Sequence, residues 1–183
     1  MNTASRPRLS TPPLSMLVMG VSGSGKSHIG RLLAERTGAT FIDGDDYHSR
    51  DNIAKMSRGE PLNDEDRQGW LDTLAGLYRE HRQTGQPLVI GCSALKRQYR
   101  DLLRAGAADL KILYLHGSQE LLLSRLNSRG QHFFAGEHML RNQLATLEMP
   151  GDDEAIRCDI ESPPDAIIDR FISELATSPD AAR

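Results

Sequence analysis

The chain predicts an α/β fold with a parallel sheet covered on both faces, and three observations point to it. Short apolar runs alternate with amphipathic stretches along most of the length. The first apolar run, 14–19, leads directly into the octet GVSGSGKS at 20–27 and then into a helical pattern. No internal repeat or interdomain linker breaks the alternation, so the 183 residues read as one domain with a single core.

The elements follow in order. Strands are expected at 14–19, 40–43, 87–91, 110–116 and 156–160. The helix after the first strand places Ile29, Leu32 and Leu33 on one face, and Gly38 supplies its stop. Further amphipathic stretches cover 64–84, 96–105, 119–128, 138–148 and 165–176. Two segments fit the alternation badly, 47–63 and the polar stretch 128–137. At the C-terminal ends of parallel strands, such excursions are where a substrate cap (about 47–70) and a lid (about 128–138) would sit.

Composition excludes several classes. With 22 Lys and Arg against 25 Asp and Glu, the net charge of -3 argues against an extended nucleic-acid surface. No apolar run approaches the roughly 20 residues of a membrane span. Cys92 and Cys158 lie far apart with no metal-ligand spacing, and read as small buried residues in a reducing, cytoplasmic setting. The Ser-, Thr- and Pro-rich start (1–13) reads as a disordered leader without the apolar core of a secretory signal, and 177–183 reads as a loose tail. The domain proper is 14–176.

The octet has the spacing G-x-x-x-x-G-K-S between a strand and a helix. A phosphate chain needs closely converging backbone N–H groups, and glycine both permits that backbone and removes obstructing side chains. Gly20, Ser22, Gly23, Ser24 and Gly25 would form the cradle at a helix N-terminus. Lys26 adds a mobile charge for the β- and γ-phosphates, and Ser27 a hydroxyl ligand for Mg²⁺. The pattern marks a nucleoside triphosphate site.

The second strand ends in FIDGDDYH, where Asp43 and Asp45 stand two apart and, in an extended segment, share a side. They would face the loop, hold a metal's water shell and take a proton from an acceptor hydroxyl. The same residues are also ordinary turn formers. Lys55, Arg67, Lys96 and Arg100 are candidate cations of an anionic acceptor pocket, whereas Arg58, Arg97 and Arg104 read as solvated. Trp70 and Tyr99 read as packing.

GVSGSGKS, DGDDYH, NIAKMSRGEPLNDEDRQGWL, CSALKRQYRDLLR and SRGQHFF together resemble the gluconokinase family, across 14 to about 172. That family is similar to the shikimate and nucleoside-monophosphate kinases. The resemblance implies a P-loop kinase fold with sheet order 2-3-1-4-5, and phosphorylation of D-gluconate at its 6-hydroxyl by ATP with Mg²⁺. It also implies a possible homodimer. HFF at 132–134 and RNQLATLEMP at 141–150 depart from the family's usual residues, beside the expected lid.

On this reading Asp45 orients the sugar hydroxyl and takes its proton, and Asp43 lies behind the metal. Arg125 and Arg129, four apart on one helix face, would serve the adenine and the γ-phosphate, or else form an exposed ion pair with Glu120. His132 would meet the substrate hydroxyls or cap the lid. His48 and Ser93 would hydrogen-bond the polyol. Which of Arg67, Lys55, Lys96 and Arg100 neutralises the carboxylate stays open. Rival readings are a kinase for shikimate or a nucleoside monophosphate, and a non-catalytic nucleotide-binding module; nucleic-acid binding ranks behind both.

Overall fold

The computed structural model describes residues 12–128 and 133–177, with backbone alone at 133–135. Strands β1 (Ser15–Met19), β2 (Thr40–Asp43), β3 (Leu88–Gly91), β4 (Lys111–His116) and β5 (Ile156–Asp159) form one sheet. Its order is β2-β3-β1-β4-β5 and every pairing is parallel. Each strand begins and ends within one residue of its apolar run. The runs are continuous because β1 and β3 are buried on both faces, as parallel strands under helices must be.

Helix α1 (Lys26–Thr37) turns Ile29, Leu33 and Ala34 inward, leaving Leu32 only partly buried. It ends as expected at Gly38, whose left-handed backbone donates its N–H to Ala34 O. Helix α3 (Asp64–Gln83) buries Trp70, Leu71, Leu74 and Tyr78. The Tyr78 hydroxyl reaches Met16 O of β1 at 2.6 Å, fastening this helix to the central strand. Helices α4 (Arg97–Arg104), α5 (Gln119–Ser128) and α7 (Pro164–Thr177) match their amphipathic stretches closely. With Leu17, Val18, Val89, Ile90, Leu113 and Phe171 fully buried, the core lies on both sides of the sheet.

The two ill-fitting segments resolve differently. Residues 44–47 form a short 3-10 turn, and Arg50–Ser57 form helix α2, capped by the Ser49 hydroxyl. Helix α6 runs Phe133–Thr146, starting five residues before the amphipathic pattern suggested. Within the expected lid, residues 129–132 lie outside the described ones and 133–138 are helical. β1 is flanked by β3 and β4, whose connections run to opposite sides, so a crevice opens at its C-terminal end.

Candidate active site

The glycine loop leaves β1 at that crevice. Gly25 caps α1 with φ +93°, a left-handed backbone that a side chain would strain. No side chain caps α1 and no acid sits in its first turn, so its first N–H groups and positive dipole end face an incoming anion uncontested. The Lys26 ammonium folds back to Val21 O at 3.1 Å. One cavity gathers Ser22, Lys26, Ser27, Asp43 and Asp45. A second shares Gly25 and His28 with it and adds Ser24, Arg125, Pro163 and Ile167.

The Asp43 carboxylate joins loop and turn. One oxygen accepts the Ser27 hydroxyl at 3.3 Å, and the other accepts the Asp45 N–H at 3.0 Å, capping the 3-10 turn. Turn chemistry and site chemistry are thus the same contact. Asp45 is not in an extended segment: the chain coils after Asp43, and it is the coil that brings both carboxylates to one cavity. Gly44 makes the coil possible, because a Cβ there would stand 2.8 Å from Gly91 O.

His48 stands with Nε2 3.6 Å from Asp45 Oδ1 and stacks on Trp70 at 4.0 Å between ring centroids. Its contact holds the Asp45 carboxyl below the usual range; burial opposes this and Lys26 adds to it. Trp70 is core, as expected, yet its Nε1–H also donates to Gly44 O at 2.7 Å, so α3 supports the turn directly. Among the described residues, two buried side-chain polar atoms lack a hydrogen-bond partner, Ser24 Oγ and His48 Nδ1. Ser24 lines the second cavity, and His48 stands beside Asp45 of the first.

The cations expected on the acceptor side line neither of these cavities and are already engaged. Lys55 pairs with Asp66 at 2.7 Å, and Asp66 also completes a capping box with Asn63 at the start of α3. Lys96 pairs with Asp64 at 3.0 Å, and Asp64 also accepts the Tyr99 hydroxyl. These contacts, Tyr99 first and then Lys96, hold the Asp64 carboxyl at about 2. Arg67 donates to the Tyr99 oxygen at 2.8 Å, a neutral partner. Ser93 sits half-buried just beyond β3.

Arg100 must be reassigned. It is 1% exposed, and every nitrogen of its guanidinium is committed: to both oxygens of Glu154, to Ala94 O and Leu95 O, and to Glu148 O. Ala94 has φ +47°, a left-handed conformation costly for alanine, and Arg100 braces its carbonyl. Spacing alone could not separate this internal brace from a pocket cation. Arg125 donates to Ile160 O at 2.7 Å and lines the second cavity, as an adenine-side residue would. Arg129 and His132 lie outside the described residues.

Sequence reading missed Tyr99, Asp64 and Asp66 as network members, although the capping signature at 63–66 was visible. It also missed the chain at 160–167 beside the second cavity. Cys92 is buried and its thiol is pushed up to about 12 by burial, in keeping with an inert role. No described helix is long and apolar enough to cross a membrane.

A glycine loop with its lysine and serine at a helix start, on a 2-3-1-4-5 sheet and facing a carboxylate pair, defines a P-loop kinase. A family model for an AAA domain matches residues 16–150. Over 154 residues the chain is 45% identical to the thermoresistant gluconokinase of Escherichia coli K12, covering 83% of this chain and 87% of that protein. The crystal structure of a sugar kinase from Janibacter sp. HTCC2649 superposes with a TM-score of 0.84 at 43% identity, covering 94% of this chain and 99% of that one. A gluconokinase from Sinorhizobium meliloti 1021 gives 0.79 at 43%, covering 91% and 94%. The chain belongs to the gluconokinase family.

Proposed function

We propose that the protein transfers the γ-phosphoryl group of ATP to the 6-hydroxyl of D-gluconate, giving 6-phospho-D-gluconate and ADP. The observation that carries this reading is the single cavity holding Lys26, Ser27, Asp43 and Asp45, which puts a phosphate cradle and an acid on one reacting centre. Two of the relatives named above, from Escherichia coli and Sinorhizobium meliloti, are themselves gluconokinases.

The loop amides and Lys26 hold the triphosphate, and Arg125 stands by the adenine. The Ser27 hydroxyl and the Asp43 carboxylate are hard oxygen donors suited to Mg²⁺, with Ser27 as ligand and Asp43 holding its water shell. No cluster of three or more His, Cys, Asp or Glu stands ready for a metal among the described residues, which fits an ion otherwise held by phosphate and water. Bound there, Mg²⁺ would neutralise charge on the β- and γ-oxygens.

Asp45 orients the acceptor hydroxyl. The oxygen of that hydroxyl attacks the γ-phosphorus, the bond to the β–γ bridging oxygen breaks, ADP keeps the electron pair, and the hydroxyl proton passes to Asp45. A carboxyl held low by His48 is a weak base, which suits a loose transition state in which the proton leaves late. Arg67, whose partner is a neutral phenol, is the cation for the gluconate carboxylate, and its fork permits a bidentate grip. His48 and Ser93 serve the polyol hydroxyls. Residues 47–70 act as cap, and the lid roles expected of Arg129 and His132 fall on residues outside the described ones. Incubation with Mg·ATP and gluconate should give a phosphorylated sugar acid by phosphorus NMR; turnover only with shikimate or a nucleoside monophosphate would replace gluconate as the acceptor.

A further inference from the structure

Gln143 of α6 reaches across 121 residues of sequence to accept the Ser22 N–H through Oε1 at 2.6 Å. Ser22 lines the cavity that holds Lys26 and Asp45. Five residues further on, the Glu148 N–H donates to Leu95 O at 2.8 Å, and Glu148 O accepts from Arg100 at 3.0 Å. Leu95 lies in the turn between Ser93 and Lys96, which the proposed function puts on the acceptor side. The segment between these contacts is itself anchored, with Leu144 and Leu147 packed on the core, and Leu140 just before it is fully buried.

We propose that 143–148 is a strut fixing the distance between the phosphate loop and the acceptor turn, and that Gln143 is a positioning residue for phosphoryl transfer acting through the Ser22 peptide. Transfer needs the hydroxyl oxygen and γ-phosphorus held in near-attack geometry, where a misplacement of about 1 Å can cost roughly 100-fold in rate. A Gln side chain fits this position because it is long enough to leave the helix and its carbonyl matches a lone N–H. On the proposed function adenosine diphosphate rests mainly on Gly25, Lys26 and the start of α1, whereas the Gln143 contact is made at Ser22. The strut therefore governs turnover more than diphosphate binding. This inference rests on the kinase reading above.

The test compares Gln143→Met, similar in length but without an acceptor, with Gln143→Glu, which keeps one. Gln143→Met should lose about 10- to 100-fold in kcat while its Kd for ADP stays within about threefold and its Tm barely moves. Gln143→Glu should recover kcat to within about threefold of the starting protein, with a raised KM for ATP from charge repulsion. Unchanged kcat in Gln143→Met, a kcat loss matched by equal losses of ADP affinity and thermal stability, or a Gln143→Glu protein as slow as the Met variant would each overturn the strut. If the unsubstituted protein turns over no gluconate, the acceptor assignment fails separately. Hydrogen exchange at the Ser22 amide then decides: faster exchange in Gln143→Met supports the strut, and unchanged exchange overturns it.

Discussion

On the proposed function, the triphosphate side offers backbone, whereas the acceptor side offers side chains. Around Gly25 an uncapped helix start faces the cavity, and the Lys26 ammonium donates to a main-chain oxygen of the same loop. Around Tyr99 the reverse holds: Asp64, Lys96 and Arg67 converge on one phenol, and Lys55 and Asp66 form a second pair nearby. Every triphosphate presents the same chain of anions, so a bare main chain suffices. A polyol acid is recognised by where its hydroxyls and carboxylate fall, and only side chains held in place by partners can record that.

Substitutions can break or sharpen the contrast. The largest effect is expected from Asp45→Asn, which should lower kcat by about 10²–10⁴ while an unreactive ATP analogue binds as before in a calorimetric titration. Next comes Arg100→Met, which should destabilise the protein in denaturant unfolding by less than the roughly 3–5 kcal/mol of a buried pair broken outright, because Arg104 still pairs with Glu154. Its KM for gluconate should change little at a temperature where the protein stays folded; a large rise would return Arg100 to the pocket. Arg67→Lys should raise the gluconate KM roughly 10-fold with the ATP KM unchanged, since a lysine cannot reproduce the fork. If the ATP KM rose instead, the two sides would not be separable.

The smallest effect concerns acid. Asp64 sits at about 2 in the folded protein against an ordinary 3.8, so its contribution is fully present above the higher value and lost as pH falls through the lower one. Thermal midpoints of the protein and of Asp64→Asn should therefore differ near pH 5, with the gap narrowing as pH falls through about 2. A gap of undiminished size at that pH would place the effect in packing.

The contrast also explains what the sequence could reveal. The sheet was legible because burial on both faces demands unbroken apolar runs, and the phosphate loop because its glycines are required by backbone geometry. Arg100 was misplaced because a guanidinium at a given spacing looks the same whether it meets a ligand or Glu154; only the Ala94 turn and the return of the chain at 148–154 decide it. Asp45 reached the cavity by a coil where an extended strand was expected, since Gly44 allows an approach to β3 that no pattern records. Gln143 carried no signal at all, its partner lying on the far side of the chain's order.

Asp66 serves two masters with one oxygen: it starts α3 and it anchors Lys55 of α2. Since Asn52 also donates to Asp66 O at 2.9 Å, the short helix is riveted to the first turn of the long one. Any swing of α2 over a bound sugar must therefore carry that turn along or fray it, and the pivot has to lie outside the pair, in the chain before Ser49 or within α3 itself.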